Sequence, residues 1–166
     1  MGVVIDTADF STGKFKIPQS IHTDLDSYIT RYEASYLADL LGATLKGLFV
    51  ADLTAQVPAS AIYLSLFNAF QTDDGTCIRR SFGIKDMLCG FIWFEYMRDV
   101  HLKGSIVGQV KSANENSEVV GAENYIYQFY NESIQTYASI QWYIQENNTD
   151  YPDFNGVCKQ ISHWSN

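Results

Sequence analysis

The sequence predicts a mainly α-helical protein: a bundle of four to five helices, a protruding β-hairpin or extended arm between the last two long helices, and an extended C-terminal tail. Three observations predict it. Apolar residues recur at helical spacing over long stretches near both ends of the chain. The stretch from Ile84 to Leu102 is apolar nearly all round, as a helix in the middle of a bundle is. Twenty polar, Gly-, Ser- and Asn-rich residues, 101–120, then separate it from the next helical stretch, where bundles spend about 2–8 on a connection. At 166 residues the chain is expected to form a single domain, 1–166, with a hydrophobic core of its own.

The elements follow in order. Residues 1–20 read as an extended N-terminal segment ending near Pro18. Thr23 or Asp24 should then cap a helix, with Asp24 and Asp26 near the positive end of its dipole. Leu25, Tyr28, Ile29, Tyr32, Tyr36, Leu37, Leu40 and Leu41 form its stripe, and Gly42 is placed to stop it. Of the two readings of that Tyr stripe, core or interface, core is preferred for Tyr28, Tyr32 and Tyr36. A short helix from Thr44 to about Leu53 presents Leu45, Leu48 and Phe49. "TAQVPAS" reads as loop and "AIYLSLFNAF" as helix. "QTDDGTCIRRSFG" is loop-like, with extended pairing possible around Ile78. In the central helix Gly90 costs about 1 kcal/mol relative to Ala, and the return expected for it is close approach of a neighbouring helix. The last long helix spans about Ala122 to Gln145, with Ile126, Tyr130, Ile134, Tyr137, Gln141 and Ile144 along one side. Residues 147–166 keep Tyr151, Phe154, Ile161 and Trp164, more large apolar groups than disordered tails carry, so a tail that docks, either on its own domain or on a partner, is expected.

Composition narrows the function. Lys and Arg number 11 against 19 Asp and Glu, a net charge of −8. An acidic chain is a poor phosphate binder, since that grip comes from cations; the charge allows the lining of a passage for DNA but does not show it. Cys77, Cys89 and Cys158 are odd in number and irregular in spacing, which reads as reduced thiols rather than a disulfide framework. No secretory signal and no apolar run of roughly 18–20 residues is expected, so neither is a membrane.

Chemistry is sparse. There is no phosphate-binding loop, dinucleotide fingerprint, nucleophile elbow or zinc-protease motif. Cys158 and His163 have ligand-like spacing without a second pair. Neither a metal nor a cofactor is expected, and no residue is assigned a catalytic role. Glu95, Arg98 and Asp99 stand out in the apolar central helix, at spacings that put Glu95 beside both others. One reading is an acid held in an apolar site. The plainer one is an Arg satisfied by two carboxylates.

Within the arm, Ser105, Val107, Gln109 and Lys111 alternate with Ile106, Gly108, Val110 and Ser112, a weakly strand-like pattern. A hairpin leaving a bundle cannot cover its own edges and gains by packing on another chain. Ser105, Ile106, Val107, Gln109, Val110 and Lys111 are therefore candidate contacts with an oligomeric partner, together with Phe154 and Trp164 of the tail.

"YEASYLADLLG", "KDMLCGFIWFEYMRDVHLKGSIVGQVKSANENSE" and "YNESIQTYASIQWYI", in that order, with "DYPDFNG" near the end, resemble the small head–tail connector proteins of tailed phages. These are also called adaptors or head-completion proteins, and the likeness is greatest to those of Bacteroidota-infecting and crAss-like phages. It runs from about Pro18 to Gly156. The resemblance implies a virion structural protein without enzymatic activity. It implies a homo-oligomer, typically a dodecameric ring at the portal vertex, between the portal protein and a neighbouring connector or tail protein. Genomic DNA would pass through it without sequence-specific binding, and its location would be the virion, with the host cytoplasm during assembly. The longer "QTDDGTCIRRSFG" loop and the aromatic tail depart from a minimal adaptor. The rival reading from charge and aromatics is a small acidic monomeric binding module or inhibitor of a host protein. An enzyme of unrecognised type rests only on Glu95 and the scattered histidines.

Overall fold

A computed structural model describes residues 2–17, 24–73, 75, 77–106 and 122–154. Among them the chain is mainly helical, with four α-helices and two small antiparallel hairpins. Helix α3 (Ile84–Ile106) is the axis. Ile84, Met87, Leu88, Phe91 and Ile92 have no exposed surface, and Trp93, Phe94 and Tyr96 have almost none. A helix buried on every side has no polar face to display, which is why its sequence shows no amphipathic stripe.

Helix α4 (Ala122–Glu146) lies antiparallel along it. Phe94 packs on Tyr127 and Tyr130, Trp93 on Phe129, and Phe91 on Tyr130 and Tyr137. Gly90 lies at the closest approach. A Cβ there would sit 2.0 Å from Ser133 Oγ and 3.4 Å from the Phe129 carbonyl oxygen.

Helix α1 (Leu25–Ala51) covers another side of α3 and is bent at Gly42, whose φ of 75° and ψ of 168° break the helix. An L-residue resists that φ; glycine does not. The bend brings Lys46 Nζ within 2.9 Å of the Ala34 carbonyl oxygen, twelve residues back; in a straight helix those positions would be about 18 Å apart. The Tyr137 hydroxyl donates to the Asp39 carbonyl (2.7 Å) and the Gln141 amide to that of Leu40 (3.4 Å). Helix α4 thus satisfies backbone acceptors next to the break. The expected stop at Gly42 and the second helix are one bent element. By length and composition α1 also meets the minimum for crossing a membrane, which the apolar-run reading missed; its Leu37, Leu40, Leu41, Leu45 and Phe49 face the protein core.

Several expectations need correction. The N-terminal segment is not extended. Residues 2–17 fold back on the bundle, burying Val4, Ile5, Phe10, Phe15 and Ile17, and a 3-10 turn at Thr7–Phe10 is closed by reciprocal hydrogen bonds of Asp6 and Asp9. Burying each large side chain is worth about 1.5–3 kcal/mol, a gain an extended segment forgoes. Asp24 precedes α1 but has a φ of 69° and makes no side-chain cap bond; Thr23 lies outside the described residues. Tyr28, Tyr32 and Tyr36 are half-buried at the rim of the core, not inside it. "TAQVPAS" is part of a tight hairpin, β1 (Leu53–Thr54) with β2 (Val57–Pro58), turned by Ala55 and Gln56 at positive φ.

Helix α2 (Ala61–Phe67) follows, three residues shorter than the expected helix, whose last residue, Phe70, opens a strand instead. The loop-like stretch closes into a hairpin of β3 (Phe70–Asp73) and β4 (Ile78–Ser81), with Phe70 opposite Ser81 and Asp73 opposite Ile78. Of the arm, residues 101–106 continue helix α3, so Ser105 and Ile106 are helical and not strand-like; each added turn keeps its backbone bonded within the helix. Val107, Gln109, Val110 and Lys111 lie outside the described residues, as does Trp164. The first part of the tail docks on its own chain. Tyr151 is buried, and its hydroxyl lies 2.8 Å from the Ile62 carbonyl oxygen and 2.9 Å from Ser65 Oγ of α2. Phe154, expected at a partner contact, is half-buried against the same core.

Candidate functional site

The polar residues singled out in the central helix meet the rim of α1. Arg98 Nη2 lies 2.5 Å from Glu95 Oε2 and 3.3 Å from Asp99 Oδ1. The Tyr36 hydroxyl donates to Glu95 Oε1 (3.0 Å) and the Tyr28 hydroxyl to Asp99 Oδ2 (2.7 Å). The helical offsets of three and one place both acids beside the guanidinium, and the antiparallel run of α1 supplies a tyrosine to each acid. Glu95 Oε1 and both oxygens of Asp99 therefore have a hydrogen-bond donor, while the buried Glu95 Oε2 is held by the ion pair with Arg98 and has no hydrogen-bond partner among the described residues. Glu95 is 8% exposed, so its charge is held where water hardly reaches, and such a charge is stable only when paired.

The electrostatics follow from that geometry. Burial, reinforced by the carboxylate of Glu95, pushes the Tyr36 hydroxyl far above its ordinary range. Burial and the hydrogen bond to Asp99 push Tyr28 up to about 12. Burial draws Arg98 down, but Glu95 and Asp99 outweigh it and hold the guanidinium more firmly charged than usual. A general acid or base works best with a pKa near the operating pH; these groups are driven away from neutrality. The arrangement is a cross-helix staple between α1 and α3. The geometry is that of an arginine paired with two carboxylates.

A second carboxylate escaped the sequence reading. Glu33 is 3% exposed within the apolar stripe of α1. It accepts the backbone N–H groups of Val3 (2.6 Å), Val4 (2.7 Å) and Ile5 (3.0 Å). Three donors on one carboxylate anchor the N-terminal segment to the bundle. The signal was present: an acidic residue four positions from both Ile29 and Leu37 lies on the buried face. Lys14 was also missed. Its Nζ pairs with Glu132 of α4 (2.6 Å) and Asp86 of α3 (3.5 Å), and it lies over the rings of Phe15, Phe82 and Phe129. No local pattern announces a contact that joins residues 14, 86 and 132.

The thiols divide by position. Cys89 is buried in α3, and burial pushes its thiol well above the ordinary range, so it is no nucleophile. Cys77 is exposed at the start of β4; Cys158 and His163 lie outside the described residues. Among the described residues no three His, Cys, Asp or Glu side chains converge to hold a metal ion.

An open groove of about 460 Å3 runs between β4 and α4. It is bordered by Ile78, Arg79 and Arg80 on one side and Gln135, Ala138 and Ser139 on the other. Arg79 lies over the ring of Trp142, 4.9 Å from its centre.

Comparison of the chain with family models, curated proteins and solved structures finds no match.

Proposed function

We propose that this chain is a virion structural protein: one subunit of a homo-oligomeric ring, of the dodecameric kind, at the portal vertex of a tailed phage, joining the portal to the next connector or tail protein and completing the DNA-filled head. The observation that carries the reading is the connection between α3 and α4. The two helices pack antiparallel, yet fifteen residues, 107–121, lie between them, where about 2–8 close such a turn. The surplus is polar and includes Glu115 and Glu118. The sequence likeness to connector proteins, which covers both helices and the segment between them, points the same way.

The rest of the chemistry is compatible with a scaffold. The charged residues in the core bind helices to each other, and a net charge of −8 lets DNA pass with little adhesion. The same charge also favours the second reading, an acidic monomeric module that binds a host protein. Mass separates the two. Light scattering of the purified chain, alone and with the portal protein, is expected to give a closed oligomer in at least the second case. A monomer in both, with a tight one-to-one complex to a host protein, would support the module and reject the ring.

A further inference from the structure

We propose that residues 155–166 dock on their own chain around Ile62, closing an apolar surface where α1, the β1–β2 hairpin and α2 meet. Three large apolar side chains are nearly half-exposed there: Leu48 of α1 (43%), Val57 of β2 (45%) and Ile62 of α2 (44%). Local bonds gather them. The Asp52 N–H donates to the Leu48 carbonyl (3.1 Å), and the Asp52 carboxylate accepts the backbone N–H of Ser60 (2.8 Å), which lies between Val57 and Ile62 in the chain. The rings of Phe49 and Tyr63, the residues next to Leu48 and Ile62, pack edge to face at 5.7 Å. Apolar residues scattered singly over a surface need no explanation; a group of them marks a place that is covered.

Charge selects the occupant. Between residues 48 and 67 the only charged side chain is that of Asp52, and residues 146–154 add Glu146, Asp150 and Asp153; neither stretch has a Lys or Arg. Burial raises the pKa of Tyr63, and Asp52 and Asp153 raise it further, so an acid from each stretch stands near that ring. Residues 155–166 carry the opposite balance: Lys159 and His163 without an acid, together with the large apolar groups Ile161 and Trp164. Apolar burial supplies the affinity and opposite charge the orientation.

The path of the chain selects its own surface over that of another copy. Tyr151 is buried, its hydroxyl donates to the Ile62 carbonyl oxygen (2.8 Å), and Phe154 is half-buried against the core. The tail therefore reaches this surface before residue 155. Ile161 is seven residues past Phe154, up to about 25 Å of chain. Val57 is five residues from Ile62, so it stands no more than about 18 Å from it. A tether this short gives the segment an effective concentration on the order of 1 mM, which outcompetes a second copy free in solution at micromolar concentration. The assignment does not depend on the ring reading above.

The test uses the full chain at micromolar concentration without portal protein. It carries Cys77→Ser and Cys158→Ser, with Ser162→Cys in the segment and Ala59→Cys at the exposed position between Val57 and Ile62; the remaining thiol, Cys89, is buried. A short bismaleimide is expected to bridge the two new thiols within one chain, read as intact mass and as a cross-linked peptide pair, with a yield that dilution leaves unchanged. Trp164→Ala and Ile62→Ser, added singly, should each lower the ratio of bridged to doubly capped product about tenfold while circular dichroism stays the same. An unchanged ratio in both variants would mean that tethering alone makes the bridge, and would overturn the proposal. Bridges between chains would give the surface to a second copy, and the absence of any bridge would place the segment elsewhere; either result also overturns it.

Discussion

Replacing Gly90 by Ala sets a local gain against a tertiary loss, and the structure gives the sign. In an isolated helix the change would stabilise by about 1 kcal/mol. Here the new methyl group would lie 2.0 Å from Ser133 Oγ, with the Phe129 carbonyl oxygen and Phe15 Cε1 each 3.4 Å away. Ser133 is 2% exposed and lies on a helix packed against α3, so neither partner has room to withdraw. Overpacking of this kind costs about 1–3 kcal/mol. Gly90→Ala is therefore expected to destabilise by up to about 2 kcal/mol net of its helix propensity. Ser133→Ala removes the oxygen that blocks the methyl group. In the double variant Gly90→Ala should then cost less than about 0.5 kcal/mol, a coupling of 1 kcal/mol or more between neighbours. Urea unfolding monitored by circular dichroism reads both numbers, with unchanged m-values showing that the transition itself is the same. If Gly90→Ala stabilises by its full propensity, α3 and α4 do not approach at this point, and the reason given for the glycine is wrong.

Glu33→Gln keeps the shape but replaces one acceptor oxygen with a donor facing backbone N–H groups, and is expected to cost about 2–4 kcal/mol in urea unfolding; a loss below that range would mean the N-terminal segment is held by its apolar side chains alone. Alkaline stability should fall above pH 10. Tyr28 and Tyr151 are held neutral to about 12 in the fold, by burial above all, so their contribution is whole below the unfolded value near 10 and is lost as pH rises toward 12. Absorbance at 295 nm should show these tyrosines ionising together with unfolding, and Tyr28→Phe should reduce the pH dependence; full ionisation near pH 10 with the helices intact would contradict the staple. Replacing residues 107–118 with a short Gly/Ser linker should leave the helical content and melting temperature nearly unchanged while ring assembly on the portal is lost. Unfolding of that variant would make the segment part of the fold, and assembly without it would remove its role.

The helices were legible because their causes are local. The all-round apolar run of α3, the break at Gly42 and the small residue at Gly90 each announce themselves within a few positions, and so does the pairing of Glu95, Arg98 and Asp99. What was missed depends on partners far along the chain. Nothing near Val4 or Phe10 states that the bundle offers them a buried surface, and the N-terminal segment was read as extended for that reason. The three donors on Glu33 come from about thirty residues upstream, and Lys14 meets its acids only once α3 and α4 are packed. Phe154 shows a different error: an aromatic residue in a tail reads equally well as a partner contact or as an anchor on its own domain, and Tyr151, seated on α2, settles it for the described part. The rim position of Tyr28 and Tyr36 follows from their hydroxyls, which bond the acids of α3 and so remain at the edge where those acids stand.

The proposed place of the chain is in the particle, against the portal. Chemical cross-linking of purified virions followed by mass spectrometry tests it most directly. Cross-links are expected between this chain and the portal protein and between copies of the chain itself, with a fixed ratio of chain to portal from one preparation to the next. Its presence in infected-cell lysate and its absence from DNA-filled particles would contradict the account.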